Sequence, residues 1–181
     1  MTRRPSTLEV LRTERPFEEL PRGARKTGRV FADFFVDGAS LSTIVRQKAD
    51  LISVLGWGSE DLQRAARDRL LLKAPPDLPS GRYALYVCPE CGDLGCGAVS
   101  AIIERVGDTV VWRDFGYENN YQEGIDRRGL EPLNEYRFPW SSYEEAIRAG
   151  YGMDGFDAGG VQRKRGWWAR NFSSLFRRAP A

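Results

Sequence analysis

Residues 83–117 read YALYVCPECGDLGCGAVSAIIERVGDTVVWRDFGY, and this stretch decides the fold. Residues 83–87 and 98–103 follow the two-residue period of β-strands. A turn of cysteines and glycines lies between these two strands. Gly107-Asp108 is a two-residue hairpin signal that leads to a third strand over 109–115. The stretch therefore predicts three neighbouring strands with a cysteine turn between the first two.

The preceding sequence predicts further elements that would pack on this unit. The run VFADFFV over 30–36 is aromatic and β-rich and predicts a strand. Ser40 is a candidate N-cap for a short amphipathic helix. Ser59, followed by two acidic residues, is a typical N-cap for a second helix that we expect to run through Lys73.

A third helix is predicted shortly before Gly150. Its start has the pattern of a capping box, either Ser141 with Glu144 or Ser142 with Glu145. We therefore expect an α+β fold. It would consist of an antiparallel or mixed β-sheet with two to three short helices packed on it, and flexible basic tails at both ends.

The net charge of +2 hides a sharp division along the chain. Residues 1–27 have a net charge of +3, and residues 161–181 carry six Lys and Arg and no acidic residue. The part between them, 28–160, has a net charge of −7. An acidic body with basic ends is suited to partners of different charge.

Three segments follow from charge and composition. Residues 1–27 contain three prolines and no sustained apolar period, which predicts a weakly ordered basic arm. Residues 28–152 form the predicted α+β domain. Residues 153–181 are expected to be a glycine-rich joint followed by a basic, aromatic C-terminal segment.

Several classes of protein are excluded or disfavoured by composition. The chain has no histidine, which excludes Ser-His-Asp and Cys-His catalysis and every metal site that needs an imidazole. It has no apolar run long enough to span a bilayer and no secretory signal pattern. Three cysteines are an odd number, which disfavours a secreted disulfide framework. We expect a protein of the reducing cytoplasm.

The cysteine turn has the C-P-x-C-G form of a metal knuckle. Cys88, Cys91 and Cys96 are three candidate ligands, and zinc, the candidate cofactor, usually takes four. Asp93, Glu90 or a partner chain would have to supply the fourth. Two other interpretations stay open: small buried cysteines that stabilise a turn, and a thiol redox pair.

The stretch Asp114–Gly124, which begins at the end of the third strand, has the composition of a protein-binding surface. It combines rigid aromatic side chains with amides and acids, a mixture typical of recognition sites. The alternative is a long loop whose tyrosines fold back onto the core. The candidate partner-binding residues are Asp114, Phe115, Tyr117, Glu118, Asn119, Asn120, Tyr121 and Glu123.

The C-terminal segment places aromatic residues at helical spacing among arginines. Such a stripe can dock on the body of the protein or on a partner helix, lie on an anionic membrane, or contact nucleic acid. The residues predicted to make these contacts are Arg163, Lys164, Arg165, Trp167, Trp168, Arg170, Phe172, Phe176, Arg177 and Arg178.

Four sequence blocks carry a resemblance to a family. FFVDGASL (34–41), VLGWG (54–58), LPSGRYALYVCPECGDLGCGAVS (78–100) and VVWRDFGYENNY (110–121) resemble an uncharacterised bacterial family of hypothetical proteins. The resemblance covers roughly residues 30–150. Some members of that family are labelled oxidoreductases, a function that the residues here do not support. In general character the chain is also similar, by analogy, to immunity proteins that neutralise bacterial toxins.

Three functional hypotheses follow. The favoured one is a non-catalytic protein-binding module, possibly immunity-like, whose acidic body binds a basic protein partner. The second is a thiol oxidoreductase that uses Cys88 and Cys91. The third is an adaptor that binds nucleic acid or a membrane through residues 161–181.

Overall fold

The structure, a computed structural model, is an α+β fold and describes residues 4–119 and 121–157. Within these residues, ten strands form sheets of five, three and two strands, and three helices pack against them. The strands are β1 (Leu8–Arg15), β2 (Glu18–Glu19), β3 (Arg25–Lys26), β4 (Arg29–Val36), β5 (Ala39–Ser40), β6 (Ile52–Ser53), β7 (Tyr83–Val87), β8 (Ala98–Val106), β9 (Thr109–Glu118) and β10 (Tyr136–Pro139). The helices are α1 (Ser42–Lys48), α2 (Glu60–Leu70) and α3 (Trp140–Ala149).

The five-stranded sheet contains the predicted central unit. Its strand order is β10-β9-β8-β7-β6, and every neighbouring pair is antiparallel. The hairpin signal at Gly107-Asp108 is confirmed, because β8 and β9 pair from Val106↔Thr109 onward. The register shifts near Asp114, whose φ of 54° lies in the left-handed region. Such a β-bulge re-aims side chains, and it does so here in the middle of β9.

The N-terminal residues form part of the fold, so the predicted weakly ordered arm over 1–27 is wrong for most of its length. Strand β1 pairs along its whole length with β4 in the three-stranded sheet β1-β4-β5. Leu8 and Val10 are buried, Glu9 and Leu11 are exposed, and Arg15 at the end of the strand is buried again. This two-residue period is partly hidden in the sequence by charged residues on the exposed face. The domain boundary predicted at residue 28 is therefore wrong as well.

An aromatic cluster forms the centre of the main core. Trp112 has no exposed surface, and its ring lies 5.3 Å from that of Phe34, 5.3 Å from that of Phe138 and 6.0 Å from that of Tyr143. All three contacts are edge-to-face, the geometry that the charge distribution of aromatic rings favours. Strands from both larger sheets and helix α3 thus share one core.

A second, smaller buried cluster lies beneath the cysteine turn. Its members are Phe31, Ile52, Trp57, Leu78, Ala84, Val87, Leu94 and Ala98. Leu94 comes from the turn itself, so the turn is anchored in the protein interior by an apolar side chain.

The helices agree with the sequence in type but differ in their caps. Ser59 caps α2 as predicted and accepts a hydrogen bond from the amide of Leu62 (3.3 Å), although the helix ends at Leu70 and not at Lys73. Ser40 is not an N-cap, since it lies in β5 and donates to the buried carboxylate of Asp33 (2.5 Å).

Helix α3 begins at Trp140, after Pro139, with no side-chain cap. The predicted capping box is therefore wrong, because Ser141 and Ser142 both lie inside the first turn. The helix ends before Gly150, as expected. None of the helices in the described residues is both long and apolar enough to cross a membrane.

Two leucines of β1 test whether the N-terminal strand belongs to the core. We expect Leu8→Ala to lower the free energy of unfolding by about 2–4 kcal/mol, because Leu8 is 7% exposed and its removal leaves a cavity. Leu11→Ala is the matched control on the same strand. Leu11 is 43% exposed, so its replacement should cost less than about 1 kcal/mol. Urea denaturation measures both, and equal effects would contradict the packing of β1.

Candidate metal centre

The three cysteines lie on one loop between β7 and β8. Cys88 follows the last residue of β7, and the amide of Gly92 donates to its carbonyl oxygen (2.9 Å), which closes the first turn. Asp93 then caps a single 3₁₀ turn, Leu94–Cys96, that leads into β8. Gly92 has a φ of 63° and Gly97 a φ of 136°, so glycine is needed at both bends. We call residues 88–97 the cysteine loop.

The loop brings the three sulfurs together. The Sγ atoms of Cys88, Cys91 and Cys96 all lie within 4.8 Å of one another, and those of Cys91 and Cys96 are 3.4 Å apart. Zn–S bonds of about 2.3 Å in a tetrahedral site separate two sulfurs by roughly 3.8 Å. The cluster can therefore hold a metal ion such as zinc with little rearrangement.

The cluster faces solvent. Cys91 and Cys96 are exposed and Cys88 is half-buried, so the interpretation as small buried cysteines is wrong. The apolar side chain that anchors the loop in the interior is Leu94, which leaves the thiols free for chemistry at the surface.

Neither acidic residue of the loop joins the three sulfurs. The Glu90 carboxylate points to the N-terminal strands, where it accepts from the Thr27 amide (3.1 Å), the Thr27 hydroxyl (2.6 Å) and the Arg15 guanidinium (2.9 Å). Desolvation raises the pKa of Glu90, but these hydrogen bonds outweigh it and leave the pKa below its usual value. Asp93, a predicted fourth ligand, instead accepts from the amide of Gly95 (2.7 Å). Among the described residues the metal-binding group consists of three thiols.

The thiols lack the features of an activated redox pair. Burial is the main cause that raises the pKa of Cys88, Cys91 and Cys96 above the usual thiol value. A reactive cysteine usually needs a helix N-terminus or a nearby cation that lowers its pKa. The shortest sulfur–sulfur distance that the structure gives, moreover, joins Cys91 and Cys96, whereas the sequence suggested Cys88 and Cys91.

Arg15 holds the cysteine loop against the N-terminal strands. Its side chain is 6% exposed and makes a two-pronged ion pair with Asp50, at 3.0 and 2.7 Å. It also donates to Glu90 and to the carbonyl oxygen of Thr27. Arg29 adds a bond from its Nε to the carbonyl oxygen of Pro89 (3.0 Å). No sequence signal distinguished Arg15 from the other charged residues of β1.

A second buried arginine, Arg82, forms ion pairs with two of the predicted partner-binding residues, Asp114 and Glu118. Arg82 is 2% exposed and donates to the carboxylate of Asp114 (2.8 Å) and to the hydroxyl of Ser100 (2.9 Å). Its Nε also lies 3.5 Å from Glu118. Hydrogen bonds from Arg127 and Arg82 lower the pKa of Asp114 to about 2. Asp114 and Glu118 therefore support the sheet through internal ion pairs.

The other predicted partner-binding residues divide into buried and accessible ones. Phe115 is 4% exposed, so its assignment to the surface is wrong; the bulge in β9 turns it into the core. Tyr117 and Asn119 are half-buried. Tyr121 is 82% exposed and Glu123 is exposed. Asn120 lies outside the described residues.

The residues that follow β9 lie next to the cysteine loop. Leu94 and Gly95 of the loop line a cavity of about 320 Å³ together with Asn119, Gln122 and Ile125. The hydroxyl of Tyr117 lies so close to the backbone of Gly97 that a β-carbon there would overlap with it. The cysteine loop therefore lies next to Asn119, Gln122 and Ile125.

The C-terminal contacts predicted from sequence fall on residues 163–178, which lie outside the described residues. The interpretation of residues 161–181 as a docking, membrane or nucleic-acid segment stays a prediction.

Comparison with known proteins gives no relative: no family model, no curated protein and no solved structure matches the chain. The resemblance to a bacterial family of hypothetical proteins therefore stays an expectation.

The tether between Glu90 and Arg15 can be tested by stability. We expect Glu90→Ala to lower the free energy of unfolding by about 1–3 kcal/mol, because the largely buried Arg15 loses one of its two carboxylate partners. Glu123→Ala, on an exposed loop, is the matched control and should change stability by no more than about 0.5 kcal/mol. Chemical denaturation at neutral pH measures both, and a Glu90→Ala protein as stable as the control would rule out the tether.

Proposed function

We propose that this chain is a non-catalytic protein-binding module with a zinc ion held by Cys88, Cys91 and Cys96, and that a partner protein supplies the fourth ligand. The observation that carries the proposal is the group of three solvent-facing thiols within 4.8 Å of one another, with no carboxylate of the described residues among them. Zinc bound to protein takes four ligands, so one must come from elsewhere.

The chemistry of the donors favours zinc. Thiolates are soft ligands that select zinc, copper(I) and iron–sulfur clusters, whereas magnesium and calcium require oxygen ligands. A turn of the form C-P-E-C-G, with glycine at a positive φ, is also the local geometry that structural zinc sites use. A reducing compartment such as the cytoplasm would keep the thiols available for the metal.

The surroundings of the thiols favour recognition over catalysis. A hydrolytic zinc enzyme needs a general base beside the metal-bound water. The two acidic residues of the cysteine loop are both engaged, Glu90 by Thr27 and Arg15 and Asp93 by the amide of Gly95. The adjoining surface presents Tyr121, an exposed aromatic residue of the kind that dominates protein interfaces.

The charge of the body favours a basic partner. The described residues contain 20 Lys and Arg and 25 Asp and Glu, a net charge of −5. Complementary charge accelerates association and excludes partners of the same sign. An immunity-like role, in which the partner is a basic toxin, remains the specific form of this proposal that fits the chain best.

Metal analysis of the purified, reduced chain tests the zinc site. We expect one zinc per chain in the wild type and its loss in Cys96→Ala, because two thiols alone bind the ion weakly. Asp93→Asn is the matched control on the same loop and should retain zinc, since Asp93 is not part of the group of three thiols and the amide keeps an oxygen that can accept from Gly95. Substitution with cobalt(II) adds a spectroscopic readout, because each bound thiolate contributes charge-transfer absorption. Zinc that survives Cys96→Ala would refute the site.

The same purified chain, with and without zinc, also distinguishes the proposed zinc site from a thiol oxidoreductase. A redox pair predicts a disulfide between Cys91 and Cys96 that forms and reduces reversibly in the folded, metal-free chain. A metal-bearing site predicts that zinc protects both thiols from alkylation. A reversible disulfide in a chain that binds no zinc would favour the enzyme.

Partner binding should depend on both the metal and the adjoining aromatic side chain. We expect the zinc-loaded chain to capture a basic protein, to release it in a chelator or in high salt, and to bind it at least tenfold more weakly as Tyr121→Ala. Val106→Ala is the control, because Val106 is exposed at the opposite end of β8, roughly 25 Å along the strand from the cysteine loop. Binding that persists without zinc would contradict a partner-supplied ligand.

A further inference from the structure

Leu94 of the cysteine loop lines two cavities that differ in charge. One, of about 160 Å³, lies between helix α2 and the five-stranded sheet, and Arg69 and Asp77 give its wall charges of both signs. The other is the cavity of about 320 Å³ between the cysteine loop and the residues that follow β9. Among the described residues that line this larger cavity, Glu118 is the only charged one. The larger cavity is therefore suited to a ligand with a positive charge.

The carboxylate of Glu118 is held in place with one oxygen open to a further donor. Its side chain is 12% exposed, and its Oε1 accepts from the hydroxyl of Ser100 (2.6 Å) and lies 3.5 Å from Nε of Arg82. Arg82 makes a shorter ion pair with Asp114, at 2.8 Å. In the described part of the chain, Oε2 accepts from the hydroxyl of Ser80 (2.9 Å), which also lines the cavity. A carboxylate oxygen accepts two hydrogen bonds, so Oε2 can take another.

The rest of the wall supplies hydrocarbon surface. Leu78 and Leu94 are buried, and Pro79 and Ile125 line the same cavity. Such a surface covers the methylene groups of a long side chain whose charged end is held elsewhere. Ligand cavities run from roughly 300 to 1,000 Å³, so a volume of about 320 Å³ is small and suits a single long side chain.

We propose that the larger cavity binds a lysine side chain of the basic partner protein, with its ammonium group at Glu118 and its methylene groups against the apolar wall. Lysine fits better than arginine, because a guanidinium needs both carboxylate oxygens for its two-pronged bond and Oε1 of Glu118 is already engaged. An ammonium group is a point charge that needs only Oε2. Gln122, in the same wall, offers an amide oxygen as a second acceptor.

The position of the cavity relates this lysine to the zinc site. Gly95 lines the cavity and directly precedes Cys96, so a side chain that enters here lies beside one of the three thiols. A partner that supplies the fourth zinc ligand would cover the same loop. The assignment of the lysine to a partner rests on the proposed function, whereas the preference of the cavity for lysine does not.

The probe is N-acetyl-lysine methylamide, which carries the lysine side chain without a charged backbone. It is titrated into the full-length, reduced chain, with and without zinc, and binding is followed by amide NMR shifts and by calorimetry. The norleucine derivative keeps the stem without the ammonium, and the arginine derivative changes the charged group. We expect saturable binding of the lysine derivative, with shifts at Gly95, Gly124 and Ile125. The norleucine derivative should bind at least tenfold more weakly, and the arginine derivative more weakly than lysine.

Removal of the carboxylate tests the role of Glu118. Glu118→Gln keeps the shape of the side chain and should weaken the lysine derivative to the level of the norleucine derivative, while norleucine binding stays the same. A damaged fold would weaken both probes alike. Glu104→Gln is the matched control, because it makes the same change on the neighbouring strand β8 outside the cavity wall and should leave both affinities unchanged.

A second variant tests the cavity without disturbing the buried hydrogen bonds of Glu118. Gln122→Lys adds an ammonium group at an exposed position of the wall, where it competes for the carboxylate, and should weaken the lysine derivative at least tenfold. Gln47→Lys, at an exposed position of α1 outside the cavity, makes the same change in charge and should have no effect.

Three results would overturn the proposal. They are no saturable binding of the lysine derivative up to its solubility limit, equal binding of the lysine and norleucine derivatives, and wild-type affinity in Glu118→Gln. Tighter binding of the probe to Lys164→Ala would assign the cavity to a lysine of this chain and overturn the assignment to a partner. The probe needs neither zinc nor the partner, so its failure is distinguishable from a failure of the zinc site.

Discussion

The ion pair between Arg15 and Glu90 is the interaction on which the arrangement of the site depends. Arg15 comes from the N-terminal strand and Glu90 from between the first two cysteines, so one contact joins the beginning of the chain to the cysteine loop. A guanidinium that is 6% exposed needs carboxylate partners, because a buried charge without compensation is costly. Both oxygens of Glu90 are engaged by Arg15 and Thr27. The carboxylate is thereby directed away from the sulfurs, and the site consists of thiols alone.

A second buried arginine, Arg82, likewise holds acidic residues by internal ion pairs. Arg82 draws Asp114 and Glu118 into internal ion pairs, and the bulge at Asp114 makes this geometry possible. The sequence assigns Asp114 and Glu118 to a recognition surface, but in the structure both form ion pairs that stabilise the sheet. The net charge of −5 over the described residues would still attract the basic partner that we propose at long range. Close contact with such a partner would depend on the few accessible groups of the loop that follows, such as Tyr121 and Glu123.

The features that could be predicted from sequence are those encoded by neighbouring residues. The hairpin at Gly107-Asp108, the N-cap at Ser59 and the cysteine turn each depend on a few consecutive side chains and backbone angles. The features that could not be predicted depend on distant partners. Strand β1 is recognisable only from its pairing with β4, since its exposed face is charged. The burial of Phe115 follows from a bulge, because one extra residue moves the subsequent side chain to the opposite face.

The cysteine loop is the element that connects the three thiols to the protein interior. Two of its three thiols are exposed, its Leu94 side chain belongs to the buried cluster beneath the loop, and a β-carbon at Gly92 would lie 3.4 Å from the ring of Trp57. A metal ion that draws Cys91 and Cys96 into tetrahedral geometry acts on the 3₁₀ turn that carries Leu94, and Leu94 lines the cavities on both sides of the loop. A metal ion at the sulfurs would therefore be coupled to the two cavities through the position of Leu94. Because coupling between binding sites is reciprocal, a ligand that holds Leu94 in place must also favour the arrangement of thiols that goes with it.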